Sequence, residues 1–121
     1  MRKLVYISGP ISNGGKATPD ERLASVKVAA DVAADLIVRG FSVICPQLTE
    51  YLERITRQHF AHEVWMEVDF PIVERCDVVL RLPGPSKGSD MEVEHAQETG
   101  VPVVFSVAEL EEWRRAFLVA A

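Results

Sequence analysis

One stretch narrows the possible folds more than any other: an apolar run, a long amphipathic segment and a second apolar run, all within residues 4–45. Leu4-Val5-Tyr6-Ile7 is continuous rather than alternating, as in a strand buried on both faces, and Ser8-Gly9-Pro10 ends it. Ile11 to Ala17, with Gly14 and Gly15 at its centre, reads as a flexible loop. Thr18-Pro19-Asp20-Glu21 then announces a helix: Thr18 suits the N-cap, Pro19 the first turn, and Glu21 closes a capping box. Leu23, Val26, Ala30, Ala33 and Ile37 recur at steps of three and four and supply one apolar stripe. Arg39 suits the negative end of that helix and Gly40 stops it. Phe41 to Cys45 is a second strand, stopped by Pro46. A strand, a helix and a strand joined this way form a right-handed crossover, which makes the two strands parallel.

The rest of the chain continues the alternation. Leu48, Leu52, Ile55 and His59 fall at helical spacing but are mixed with Tyr51, Arg54 and Arg57, so residues 47–62 read as a helix or a lid loop. Trp65, Val68, Ile72 and Val73 predict a helix running to Arg75, which Pro71 should break or kink, leaving Asp69 near the break. Asp77 to Leu82 is a third strand, residues 88–99 a helix closed by Gly100, and Val101 to Phe105 a fourth strand. Ser106 and Glu109 make a capping box for a last helix with Leu110, Trp113 and Phe117 on its core face. The expected fold is α/β: a single domain over residues 1–121, a flavodoxin-like or Rossmann-like three-layer sandwich. Its parallel sheet would have four or five strands in the order 2-1-3-4(-5). Ligands in such sheets bind beyond the C-terminal strand ends, at the switch point between strands one and three. The turns leaving those two strands are Ser8-Gly9-Pro10 and Pro83 to Gly88, the richest in Gly and Pro.

Composition limits the partners. A net charge of −5 argues against a nucleic-acid polymer, which usually calls for a basic excess, but admits a small anionic ligand. Leu4 to Ile7 is too short for a signal peptide or a membrane span, which predicts a cytoplasmic protein with no membrane partner. Cys45 and Cys76 stand 31 positions apart with no CxxC, and read as two buried reduced thiols. His59, His62 and His95 lack metal-ligand spacing, so no metal is expected. There is no GxGxxG, no P-loop and no Gly-x-Ser-x-Gly elbow.

The chemistry is expected between Leu82 and Ala96, where a strand turns through Pro and Gly into a helix start whose free N–H groups suit an anion. Glu92 admits two readings there. Ser89-Asp90-Met91-Glu92 is itself a capping box, in which Glu92 would only serve the backbone of Ser89; otherwise it is a free carboxylate for catalysis. Asp69 is likewise an N-cap before Phe70-Pro71 or a second carboxyl, and Ser86 and Gly88 are turn residues or ligands of an anion. Tyr6, in an apolar strand, is more often core than catalyst. Residue types alone yield a small α/β ligand-binding domain.

The order and spacing of several short motifs carry a resemblance over almost the whole chain. Tyr6-Ile7-Ser8-Gly9-Pro10, Trp65-Met66 with Asp69, and Cys76-Asp77-Val78-Val79 are followed by Leu82-Pro83-Gly84 and Ser86-x-Gly88-x-x-x-Glu92-x-x-x-Ala96, then Gly100-Val101-Pro102-Val103. Together they resemble the nucleoside 2-deoxyribosyltransferase-like superfamily, in particular its small phage and bacterial members, similar to nucleoside 5′-monophosphate N-glycosidases. The resemblance implies that Glu92 is a nucleophile, that Asp69 assists departure of the base, and that Tyr6 sets the active site. It implies substrate-binding roles for Ser8, Gly9 and Pro10 in the first loop, and for Ser86, Gly88 and Ser89 around a phosphate.

The implied activity is cleavage of the N-glycosidic bond of a (deoxy)nucleoside 5′-monophosphate or nucleoside through a covalent glycosyl-glutamate intermediate. Base exchange by a deoxyribosyltransferase is the enzymatic alternative, and a non-catalytic nucleotide-binding or sequestering protein is the other. No metal or organic cofactor is implied. A homodimer is, and the apolar tail Ala116 to Ala121 adds to that expectation. Two positions depart from the pattern: Glu94 stands where many relatives carry Gly and should narrow the pocket or change its charge, and Lys16 is the one cation near a loop that bears arginine in some monophosphate hydrolases.

Overall fold

The computed structural model describes residues 1–120, with side chains through residue 118. Four parallel strands form the sheet: β1 (Leu4–Ser8), β2 (Ser42–Ile44), β3 (Val78–Arg81) and β4 (Val103–Val104), in the order β2-β1-β3-β4. The chain-order reversal thus lies between β1 and β3, which pair from Val5↔Val78 to Ser8↔Arg81. No fifth strand is present among the described residues. The helices are α1 (Pro19–Val38), α2 (Thr49–Thr56), α3 (His62–Arg75), α4 (Lys87–Glu98) and α5 (Val107–Ala120).

Alternation along the strands sorts the core into two layers. Val5 and Ile7 of β1 and Val78 and Leu80 of β3 pack with Ala29, Ala33 and Leu36 of α1 and Leu110 of α5. Tyr6 and Val79 point to the opposite face, where Val73 of α3 and Ala96 of α4 cover them. Full burial of a side chain the size of Leu36 or Leu110 contributes roughly 2 kcal/mol each from apolar area alone. Both free thiols sit against these layers, Cys76 buried and Cys45 half-buried.

Local signals act as their chemistry dictates at the start of α1. Thr18 Oγ1 accepts the Glu21 N–H at 3.1 Å while Glu21 returns to the Thr18 N–H at 2.9 Å. Its buried stripe is Val26, Ala29, Ala33 and Leu36: Val26 and Ala33 are on the expected line, while Ala29 and Leu36 replace Ala30, which is half-buried, and Ile37, which is exposed. The helix is rich in alanine, which marks neither face strongly. Pro71 does not break α3, which runs unbroken to Arg75. The missing N–H leaves the Glu67 carbonyl without its helical partner, and both residues lie on the exposed side, open to solvent.

Residues 47–62 are helix and loop together: a short 3-10 turn (Pro46–Leu48), α2, and a connection ending at His62. The expected apolar stripe of α2 faces outward, with Ile55 81% exposed and Leu48 and Leu52 about half so, while Glu50 is buried. Charged pairing explains the inversion, since Glu50 takes a bidentate bond from Arg22 of α1 at 3.0 and 2.8 Å and another from Arg54 at 3.2 Å. The tail continues α5 to Ala120, with Phe117 and Leu118 exposed; residue 121 of that expected apolar tail lies outside the described residues. Among the described residues no helix is long and apolar enough to cross a membrane.

Candidate active site

The cap of α4 decides between the two readings of Glu92. Ser86 is the N-cap, with its Oγ accepting the Ser89 N–H at 3.1 Å, so Ser89 lies inside the helix and needs no partner from Glu92. The Glu92 side chain instead turns onto the sheet. Tyr6 Oη donates to its Oε2 at 2.5 Å and Ser8 Oγ donates to its Oε1 at 2.7 Å. Tyr6 and Ser8 are two apart on β1 and therefore point to the same face, toward α4. Glu92 is only 5% exposed, and its carboxyl has one hydroxyl fixed on each oxygen.

Asp69, buried on α3, lies close enough to Glu92 and Tyr6 for its carboxyl to act on both electrostatically. Burial raises the Glu92 carboxyl to about 7; the Tyr6 and Ser8 hydroxyls oppose that rise, and the Asp69 charge adds to it. Burial also raises Asp69, against hydrogen bonds from Glu92 and Tyr6 that pull it down. Two buried carboxyls in contact cannot both ionise readily, so they retain one proton between them toward neutral pH. Tyr6 is raised far above its ordinary range, by burial first and then by the two acids, and so remains a donor.

The pair opens into a cavity of about 450 Å³, the size of a small-molecule site. Asp69 and Glu92 form one part of its wall, and Ser86, Lys87, Gly88 and Ser89 carry the first turn of α4 along it. The N–H groups of Lys87 and Gly88 have no intrahelical acceptor at that position. α3 begins nearby: a Cβ on Gly88 would stand 3.2 Å from His62 Cε1, so glycine lets the two helix starts approach. Two converging positive helix ends, with Lys87 beside them, suit an anion. The wall also carries an apolar and aromatic part, with Ile11, Phe60, Trp65 and Met66.

Most of the residues expected from sequence meet here, in divided roles. Gly9, Asp69, Ser86, Gly88, Ser89 and Glu92 line the cavity. Tyr6 and Ser8 are fully buried behind Glu92, so Ser8 serves the carboxylate rather than a substrate. Pro10 packs against Gly84 of the neighbouring turn and is not part of the lining. Lys16 is not in the wall either; Arg22 and Lys87 are its cations. Glu94 is exposed on the far side of α4, in a groove with Phe70, Met91 and His95, and does not narrow the cavity.

Gln47, Glu53 and Phe60 were not evident from residue types. Gln47 is 2% exposed, donates to the Ile7 carbonyl at 3.1 Å and takes the Cys45 thiol at 3.4 Å. Its place just past β2, at the C-terminal edge of the sheet, was the one available signal.

Residues 3–105 match the family described as Domain of unknown function (DUF4406). The chain belongs to that family. The match runs from the start of β1 through β4 and takes in every residue of the Tyr6–Ser8–Asp69–Glu92 cluster. No curated protein matches the chain.

Proposed function

We propose that this DUF4406 protein cleaves the N-glycosidic bond of a nucleoside 5′-monophosphate or nucleoside, with Glu92 as nucleophile. The observation that carries this reading is the buried Glu92 carboxylate, held by one hydroxyl on each oxygen beside a second carboxyl at the wall of a small-molecule cavity. Such an arrangement is far more elaborate than a helix cap requires. Departure of a base develops positive charge on the sugar, and a carboxylate oriented at C1′ stabilises that charge and then traps it.

In the first step a Glu92 oxygen bonds to C1′ as the C1′–N bond breaks, and the bonding pair leaves with the base. The proton shared by the two carboxyls passes through Asp69 to the departing nitrogen. In the second step water adds to C1′, gives its proton to Asp69, and releases Glu92 as carboxylate. Tyr6 and Ser8 hold the attacking oxygens in place throughout. The first turn of α4 and Lys87 take the 5′-phosphate, and Phe60 and Trp65 offer aromatic surface to the base.

The test is a panel of nucleosides and nucleoside 5′-monophosphates, with and without a second free base, followed by chromatography. The expected products are free base and sugar phosphate or sugar. A new nucleoside would identify base exchange instead, and binding without base release from any member would leave a nucleotide-binding protein.

A further inference from the structure

We propose that Glu53 is a positioning residue: it fixes the Phe60–Trp65 aromatic wall of the cavity and so sets how tightly a planar heteroaromatic group is held there. That this group is a nucleobase rests on the N-glycosidase reading; the role of Glu53 in the wall does not.

The inside-out character of α2 is the starting point. Its apolar residues face solvent, and its acidic side chains face the cavity, where Glu53 is 11% exposed. One oxygen of Glu53 gathers two donors, one from the segment that follows the helix and one from α3. Oε2 accepts the Phe60 backbone N–H at 2.8 Å and the Trp65 indole N–H at 3.1 Å, and His59 Nδ1 lies 3.4 Å away. The other oxygen lies 3.9 Å from the Arg22 guanidinium. Phe60 and Trp65 meet edge to face, centroids 5.6 Å apart and planes at 84°, and both line the cavity.

The segment has little else to hold it. α2 ends at Arg57 in a left-handed conformation, φ 58°, and no regular structure follows until His62. A further contact, the Gln58 N–H to Thr56 Oγ1, is long at 3.4 Å. A carboxylate suits the junction because it only accepts. Glutamine has the same shape, but either orientation of its amide sets an NH₂ against the Phe60 and Trp65 donors or against Arg22. An isosteric change therefore breaks the junction without opening a hole.

The experiment uses the full chain with Trp113→Phe, so that Trp65 is the single tryptophan. With Glu53→Gln, Trp65 emission is expected to shift to the red before any ligand is added, while far-ultraviolet circular dichroism stays unchanged. Quenching by 2′-deoxyadenosine and 2′-deoxycytidine 5′-monophosphates should require about tenfold higher concentration, as for loss of a charge-assisted bond. KM for base release should rise by a similar factor with kcat within about threefold. Unchanged emission and unchanged KM would overturn the proposal, as would a loss confined to kcat. If Glu53→Gln does not fold, Trp65→Phe in the otherwise native chain removes one donor and should raise KM or the nucleotide dissociation constant; no change there overturns it equally. Absence of base release by the native chain would refute the N-glycosidase reading alone, since the emission and quenching measurements still decide the role of Glu53.

Discussion

At Glu92 two hydroxyls and a neighbouring carboxyl act in opposite directions. Burial and Asp69 raise the carboxyl, and the Tyr6 and Ser8 donors hold the rise to about 7. The form competent for catalysis keeps one proton on the pair: a fully protonated pair has no nucleophile, and a fully ionised pair has nothing to give the leaving base. The rate should therefore be bell-shaped in pH, with its alkaline limb near pH 7. Tyr6→Phe removes the donor on Glu92 Oε2 that opposes its rise, so kcat/KM should fall and the alkaline limb should move to higher pH. A profile that keeps its position in Tyr6→Phe would contradict this account of the cluster. The resemblance singled out Glu92 and Asp69, but residue types alone left Glu92 between a cap and a free carboxylate, because Ser89 and Glu92 also satisfy a capping box. Ser86 settles the matter by capping first, and the offset of three residues is invisible without the backbone.

Between β3 and α4 the chain makes a turn that positions every cavity residue of the helix start. Arg81 fastens that turn, donating to the Leu82 and Gly84 carbonyls and, at 3.2 Å, to Asp90 of α4. Gly84 has φ 115°, and a Cβ there would stand 3.1 Å from Pro10 Cγ in the turn leaving β1. Gly84→Ala should cost about 1–3 kcal/mol, read as a lower urea midpoint with unchanged slope, and should weaken nucleotide binding by displacing the first turn of α4. No change in midpoint would show that the two turns do not brace each other. Elements with paired local signals, such as the Thr18–Glu21 box and the glycines after α1 and α4, were readable from the chain. α2 was not, because its order depends on Arg22, a residue 28 positions from Glu50. Pro71 misled for a related reason: whether a helix tolerates proline depends on which side faces water.

The parallel order β2-β1-β3-β4 follows from the alternation of continuous apolar runs with capped helices, and it brings the turns after β1 and β3 together as switch-point topology requires. Sequence patterning carries that much because it reports burial on both faces of a strand; it does not carry the cavity wall, which joins residues from four separate helices, α1 to α4. The site has a cost for the whole molecule. The folded pKa of Glu92 lies above its ordinary 4.5, so the native state holds more protons than the unfolded chain between about pH 4.5 and 7. Stability from this group is complete below that window and is lost as pH rises through it. Glu92→Gln removes the dependence, and at pH 8 it should be more stable than the native chain by on the order of 3 kcal/mol, with little difference at pH 5, by denaturant titration. Equal stabilities at both pH values would contradict the burial account. The most direct measurement remains base release by Glu92→Gln, compared with the native chain, on the substrate that the native chain cleaves best. Loss of at least about a thousandfold in kcat with nucleotide binding retained is the predicted result; release at the native rate would contradict the assignment of Glu92 as nucleophile.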